Sequence, residues 1–293
     1  MKRHTRSPHS QSPNHLMTQS LRGMSIGVIG AGNMGRALIN GLVTNSFPPS
    51  HLVIVESDRQ RGQAVRRRYH VGVASLPEVA RRCDVLILAV KPQDLRGVLL
   101  ELRKALRARG KRMLVVSIAA GVQTISIERI LGRVPVVRVM PNLPATVGCG
   151  MAALAKGRFA ASADLRVAKA IFRSVGEVVE LPERDFDAVT ALSGSGPAYF
   201  FLIFQALRDA GIHCGLPKGV ARRLAIQTAK GSAALASQTD EELEKLIARV
   251  ASKKGTTEAA LTVFRRDGLT RILQRGVRAA VKRSRELSRS ASV

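Results

Sequence analysis

The stretch SIGVIGAGNMGRALINGL, residues 25–42, limits what this chain can fold into more than any other. A short run rich in β-branched residues ends at Gly30, and a helical apolar period begins a few residues later. Strand, glycine-rich turn and helix in that order form a βα unit whose loop can cradle a dinucleotide. Gly30 permits the tight turn, Gly32 lets backbone approach a pyrophosphate, and Gly35 lets the helix lie close to the strand. With Ala31, Asn33 and Met34 between them, these are the first candidate coenzyme contacts. A bare Gly-x-Gly-x-x-Gly is a weak signal that an ordinary turn can carry; the flanking strand and helix give it weight here.

The same alternation repeats along the chain. LVIVES (52–57), DVLILAV (84–90), MLVVSI (113–118) and VPVVRVM (134–140) are apolar runs separated by helix-length segments. Strands buried on both faces read this way, and they imply a parallel sheet covered by helices on each side. GMAALA and GEVVEL extend the β pattern to about residue 182. Beyond it, AYFFLIFQALRDAGI, KGVARRLAIQTAKGSAAL, DEELEKLIARVAS and LTRILQRGVRAAVKRSREL all read as helices. The expected fold class is therefore α/β: an N-terminal Rossmann-like doubly wound domain at 24–182, then an all-α dimerisation domain at 183–293. The helix over Ala198–Leu207 is nearly all apolar, and a helix apolar all round must be buried on all sides. Residues 183–293 can hardly achieve that alone, so a homodimer with interlocking helices is expected, with a higher ring of dimers left open.

The formal net charge of +26 raises nucleic-acid binding as a hypothesis. Arginines are spread over the whole chain, Trp is absent and aromatics are 3%, so an Arg-rich background that attracts small anions is the preferred reading. No apolar run approaches the roughly 18–20 residues of a membrane span. The three cysteines, Cys83, Cys149 and Cys214, lack metal-site or disulfide spacing, and read as packing residues in a reducing compartment, here the cytoplasm. Residues 1–23 carry no Asp or Glu, four Lys/Arg and many Ser and Pro, and are expected to be a disordered basic extension, with Met17 or Met24 as alternative starts.

Coenzyme choice is usually decided after the second strand, in VIVESDRQR. An acid there accepts from an adenosine ribose, whereas Arg and Ser favour a 2′-phosphate. Glu56 and Asp58 stand on one side and Ser57, Arg59 and Arg61 on the other, so NADPH is mildly favoured and NADH stays open. Later loops also follow strands, where open α/β sheets bind ligands: AVKP (89–92), SIAAGV (117–122) and the Asn142 turn of MPNLP. Asn142 reads either as a turn cap or as a hydrogen-bonding site residue. SKKGTTEAAL (252–261) sets glycine and hydroxyls ahead of a helix expected over Glu258–Phe264, a source of anion-binding N–H groups. Capping of that helix by Thr256 or Thr257 is compatible with the same pattern.

LAVKPQDL, VVSIAAGV, VRVMPNLPA, DAVTALSGSGPAYFF and SKKGTTEAAL, in this order, resemble pyrroline-5-carboxylate reductase. The resemblance runs from about Met24 to the late 280s. It implies hydride transfer from NADPH, or NADH, to C5 of 1-pyrroline-5-carboxylate, giving L-proline in the last step of proline synthesis. By that resemblance Ala89, Val90, Lys91, Pro92, Ala119, Ala120 and Asn142 line the coenzyme. Ser252, Gly255, Thr256 and Thr257 would hold the substrate carboxylate, with Thr257 nearest the ring nitrogen and the best side-chain proton donor. Glu183 matches an acidic position near the family's substrate pocket, and a linker surface charge is its other reading. Ser193, Gly194 and Ser195, entering the apolar helix through Pro197, would face the substrate.

Two departures stand out. Lys253-Lys254 replaces the family's usual Pro-Gly, removing a residue that tolerates positive φ. GVASLPEVARRCD (72–84) is shorter than in relatives. No motif contains a histidine, which argues against a histidine general acid. Other Rossmann reductases with helical second domains need a catalytic lysine or aspartate around Ser193–Phe201, where this chain has hydroxyls.

Overall fold

The computed structural model describes residues 20–107 and 109–290. Residues 1–19, which carry most of the expected basic extension, lie outside them. Eight strands form one sheet: β1 (Ile26–Ile29), β2 (Leu52–Val55), β3 (Gly72–Val73), β4 (Val85–Leu88), β5 (Leu114–Ser117), β6 (Val136–Met140), β7 (Gly150–Lys156) and β8 (Gly176–Glu180). Their order is β3-β2-β1-β4-β5-β6-β7-β8. All neighbours run parallel except β6 and β7. The chain starts mid-sheet at β1, builds outward to β3, then crosses to β4, so a switch point opens between β1 and β4. Short β3 carries no apolar run of its own, which is why the pattern of the sequence does not show it.

The connecting helices are α1 (Asn33–Thr44), α2 (Arg59–Tyr69), α3 (Leu76–Arg82), α4 (Pro92–Leu106), α5 (Thr124–Leu131) and α6 (Ser162–Arg173). They cover both faces of the sheet, and β4 shows how. Val85 and Ile87 join one apolar cluster with α1 and α6, while Leu86 and Leu88 join a second with α3, α4 and α5. Alternate side chains of a strand point to opposite faces, so a strand apolar at every position fills two cores. Leu21 is 1% exposed and packs in the first cluster, so the expected disorder does not reach residues 20–23: a large apolar side chain with a core to enter outweighs the polar residues before it.

The chain divides into two compact units. The first runs to Gly194 and resumes at Val281; the second is Ser195–Ala280. After β8 the first unit continues through a short α7 (Phe186–Val189) and a wide π turn at Thr190–Gly194. The second unit holds α8 (Gly196–His213), α9 (Lys218–Ser237), α10 (Leu243–Val250), α11 (Thr256–Arg266) and the start of α12 (Leu269–Ser290). Its buried residues are Gly196, Ala221 and Ala225. Phe200, Phe201, Leu202 and Leu207 of α8 are exposed in the single chain, with Leu202 at 65%.

Of the cysteines, Cys83 is buried and its thiol is pushed up to about 11 by that burial. Cys149 and Cys214 are exposed in the single chain, so the expectation that all three pack inside holds for Cys83 alone: Cys149 lies on a loop before β7 and Cys214 caps α8. Among the described residues no helix is long and apolar enough to cross a membrane.

Candidate active site

The cradle lies where β1 ends. Gly30 has φ +94°, and a Cβ there would come 2.7 Å from the Ala89 carbonyl oxygen. At Gly35 a Cβ would come 2.1 Å from the Gly30 carbonyl oxygen, so only glycine lets α1 start this close to the strand. Gly32 is different: a Cβ there would meet nothing within 4 Å. It is also the N-cap of α1, with no side-chain cap and no acid in the first turn. Backbone N–H groups at the positive end of a helix therefore face open space, which fits a pyrophosphate.

The remaining loop residues have mixed surroundings. The Asn33 carboxamide oxygen accepts from Arg36 Nη2 at 2.8 Å, and Met34 packs against the first core cluster. Ala31 is fully buried, and its N–H donates to Glu56 Oε2 at 2.8 Å. Its amide is thus already committed within the protein rather than presented to a phosphate. Glu56 also accepts from the Asp58 N–H at 3.0 Å and from Arg61 Nε and Nη2, each at 2.9 Å. Burial pushes the Glu56 carboxyl up, but the Arg61 bonds and the two backbone amides outweigh it and hold it at about 2. Asp58 caps α2, accepting from the Arg61 N–H at 3.0 Å. Ser57 is exposed, its hydroxyl 3.4 Å from Glu56 Oε1.

The other coenzyme candidates stand at neighbouring strand ends in the same unit. Ala89 and Val90 follow β4, half-buried, while Lys91 is the exposed N-cap of α4 and Pro92 its exposed first residue. Ala119 is buried and Ala120 exposed after β5. Asn142 follows β6, and its carboxamide is spent on structure: the oxygen accepts from the Met151 N–H at 2.8 Å, and Nδ2 donates to the carbonyl and hydroxyl of Ser193, each at 3.3 Å. Asn142 thus ties the SGSG turn to the sheet, and it makes no side-chain cap.

The substrate candidates fall in both units. Glu183 is neither free nor a surface charge. Its carboxylate accepts from the Thr124 N–H at 2.8 Å, the Thr124 hydroxyl at 2.7 Å and Arg138 Nη1 at 3.2 Å. Arg138 is 4% exposed and stacks 4.7 Å from the Phe186 ring centre. A lone arginine inside VPVVRVM was the available signal: a cation in a strand buried on both faces needs a partner. In the second unit, Ser195 is the half-buried N-cap of α8, with no side-chain cap bond. Gly255, not a threonine, is the N-cap of α11, so the helix starts two residues ahead of the expected Glu258 and Thr256 and Thr257 sit in its first turn. No side chain caps it. The Gly255 N–H donates to the Ser252 carbonyl at 3.0 Å, and the Lys254 N–H donates to the Glu258 carboxylate. Lys254 has φ +60°, so a lysine occupies the left-handed position that the usual glycine would fill.

Comparison with known proteins bears on both halves. Residues 25–121 match the family model described as NADP oxidoreductase coenzyme F420-dependent. Residues 183–287 match the one described as pyrroline-5-carboxylate reductase dimerisation. The pyrroline-5-carboxylate reductase of Corynebacterium melassecola is 38% identical over 90% of this chain and 99% of its own. The chain belongs to the pyrroline-5-carboxylate reductase family. The Synechocystis pyrroline-5-carboxylate reductase is 40% identical over 91% of this chain and 99% of its own. Among solved structures, the pyrroline-5-carboxylate reductase of Coxiella burnetii aligns with TM-score 0.86 at 35% identity, covering 90% of this chain and 98% of that one. The Plasmodium falciparum pyrroline carboxylate reductase with NADP bound aligns with TM-score 0.79 at 29% identity, covering 91% and 98%. As a pyrroline-5-carboxylate reductase, the chain is an NAD(P)-dependent oxidoreductase, and its helical half carries the family's dimerisation module.

Proposed function

We propose that the chain reduces 1-pyrroline-5-carboxylate to L-proline, with residues 24–182 as the coenzyme module and 183–293 as the dimerisation and substrate module. NADPH or NADH, when bound, supplies the hydride that adds to C5 of the imine. Gly30, Gly32 and Gly35 shape the cradle; Ala89–Pro92, Ala119 and Ala120 bound it at the neighbouring strand ends. Asn142 contributes indirectly, by fixing the Ser193 turn, and Glu183 by tying the segment after β8 to Thr124 and Arg138 within the first unit. Ser195, as the entry to α8, is retained as a substrate contact.

The observation that carries the substrate reading is the N-terminus of α11. With Gly255 as N-cap and no side chain capping it, the first-turn N–H groups and the Thr256 and Thr257 hydroxyls are suited to a carboxylate. Ser252 holds the turn through its carbonyl. Thr257, half-buried where Thr256 is exposed, is the residue we assign to pass a proton to the ring nitrogen as hydride arrives, its hydroxyl taking one back from solvent water in the same relay. Positioning supplies most of the rate in such a reaction.

The working assembly is a homodimer through the helical unit, with a ring of dimers as its higher form, and the working compartment is the cytoplasm, where the free thiols of Cys83, Cys149 and Cys214 would stay reduced. Steady-state oxidation of NADPH and NADH with pyrroline-5-carboxylate tests the reaction; no turnover with either coenzyme would overturn it. Thr257→Ala should lower kcat/KM for the imine by about 100-fold, in the range of a lost general acid, while coenzyme Kd moves little. Unchanged turnover removes Thr257 from the chemistry.

A further inference from the structure

The acid at the end of β2 is the residue that would pair with the ribose of an unphosphorylated coenzyme. Here its acceptor capacity is spent. Glu56 Oε2 takes the Ala31 N–H and Arg61 Nε, and Oε1 takes the Asp58 N–H and Arg61 Nη2. A carboxylate offers about four lone-pair sites, so none is left for a ribose hydroxyl. The Glu56 side chain is 3% exposed. Asp58, the other acid, is committed to capping α2.

Arg61 is held at the opposite extreme. Its Nε and Nη2 are fixed by Glu56, while its side chain stays 42% exposed. A guanidinium is a rigid fork with five donors, so a partner on one edge aims the other edge. Arg61 lines a cavity of about 790 Å³ between α1 and α2 that Arg36, Arg68, Asn40 and Gln60 also line. Arg61 pairs with Glu56, and its Nη1 lies 3.9 Å from Asp58 Oδ2; against these two carboxylates stand Arg36, Arg61 and Arg68, so a surplus of positive charge remains.

We propose that Arg61 reads the adenosine 2′-phosphate of NADPH and that Glu56 is its positioning residue, clamping the glycine loop and the guanidinium into one unit so that the chain selects the phosphorylated coenzyme despite carrying an acid after β2. This rests on the coenzyme reading of the Gly30–Gly35 cradle. Glu56 acts through Arg61 and through the Ala31 N–H, and touches no coenzyme atom itself.

Calorimetry on the full chain, with adenosine 2′,5′-bisphosphate and adenosine 5′-monophosphate as probes, separates the possibilities. Wild type should bind the bisphosphate about tenfold or more tightly over the monophosphate, the worth of a charge-assisted phosphate contact. Arg61→Ala should bring the two affinities within about twofold, and Arg61→Lys should keep part of the difference. Glu56→Gln should cut the ratio about threefold or more by loosening the fork, with the KM for NADPH rising more than kcat falls. Arg61→Ala is at an exposed side chain and keeps the test open even where Glu56→Gln fails to fold. A wild-type ratio near one, or an unchanged ratio in Arg61→Ala, overturns the proposal while leaving the coenzyme site intact. Binding of neither probe by wild type overturns the coenzyme reading along with it.

Discussion

The first unit buries a large apolar cluster on each face of its sheet, whereas the second buries Gly196, Ala221 and Ala225 and leaves Phe200, Phe201 and Phe264 exposed. The two were made from different patterns. Strands that alternate with amphipathic helices satisfy their apolar faces within one chain. Helix α8, apolar at nearly every position over 198–207, has no such solution, and the pyrroline-5-carboxylate reductase dimerisation module that contains it finds one in a second copy. Stability in the first unit is a property of the chain; in the second it is a property of concentration.

The largest effect should come from attacking that contrast directly. Phe200→Asp puts a carboxylate on the exposed, apolar α8 and should weaken dimerisation by on the order of a hundredfold or more, since a charge buried across an apolar interface goes unpaired. Light scattering across a dilution series reads this, and turnover should fall with it. Leu100→Asp, on an exposed leucine of α4, should stay within about 0.5 kcal/mol and remain dimeric. A dimer unmoved by Phe200→Asp would break the comparison.

A smaller effect, independent of concentration, belongs to the first unit. Phe172→Ala, at a fully buried ring of α6, should cost about 3–5 kcal/mol in urea unfolding, the same at every protein concentration. A concentration-dependent loss would show that this core too leans on the partner.

The smallest effect sharpens the second unit alone. Lys254→Gly removes a side chain from φ +60° and should raise stability by about 1 kcal/mol, seen as a few degrees in Tm. A lower Tm would mean the lysine makes a contact that outweighs its backbone strain.

What could be read from the sequence follows how local each pattern is. The Gly30–Gly35 cradle and the apolar runs of β1, β2, β4, β5 and β6 are contiguous, so spacing alone exposed them. The loss of Pro-Gly before Gly255 was legible too, and Lys254 does take the strained φ that the replacement implied. Glu56 was visible as an acid at the right place, but its partners Ala31 and Arg61 come from two loops that meet only after β1 and β2 pair. The same applies to Glu183, whose engagement by Thr124 and Arg138 depends on α5 and β6 lying beneath it. Leu21 looked like part of a polar tail because a single apolar residue has no period.

The tail end of α12 has a consequence for synthesis. Ser284 is buried in the first unit and donates to Asp187 Oδ1 at 2.7 Å, although Ser284 leaves the ribosome long after the short helix α7 that it joins. The two apolar clusters draw on residues up to 178 and can condense while translation continues. Asp187 must wait in water until the last helix is made, so the first domain to begin folding is also finished last.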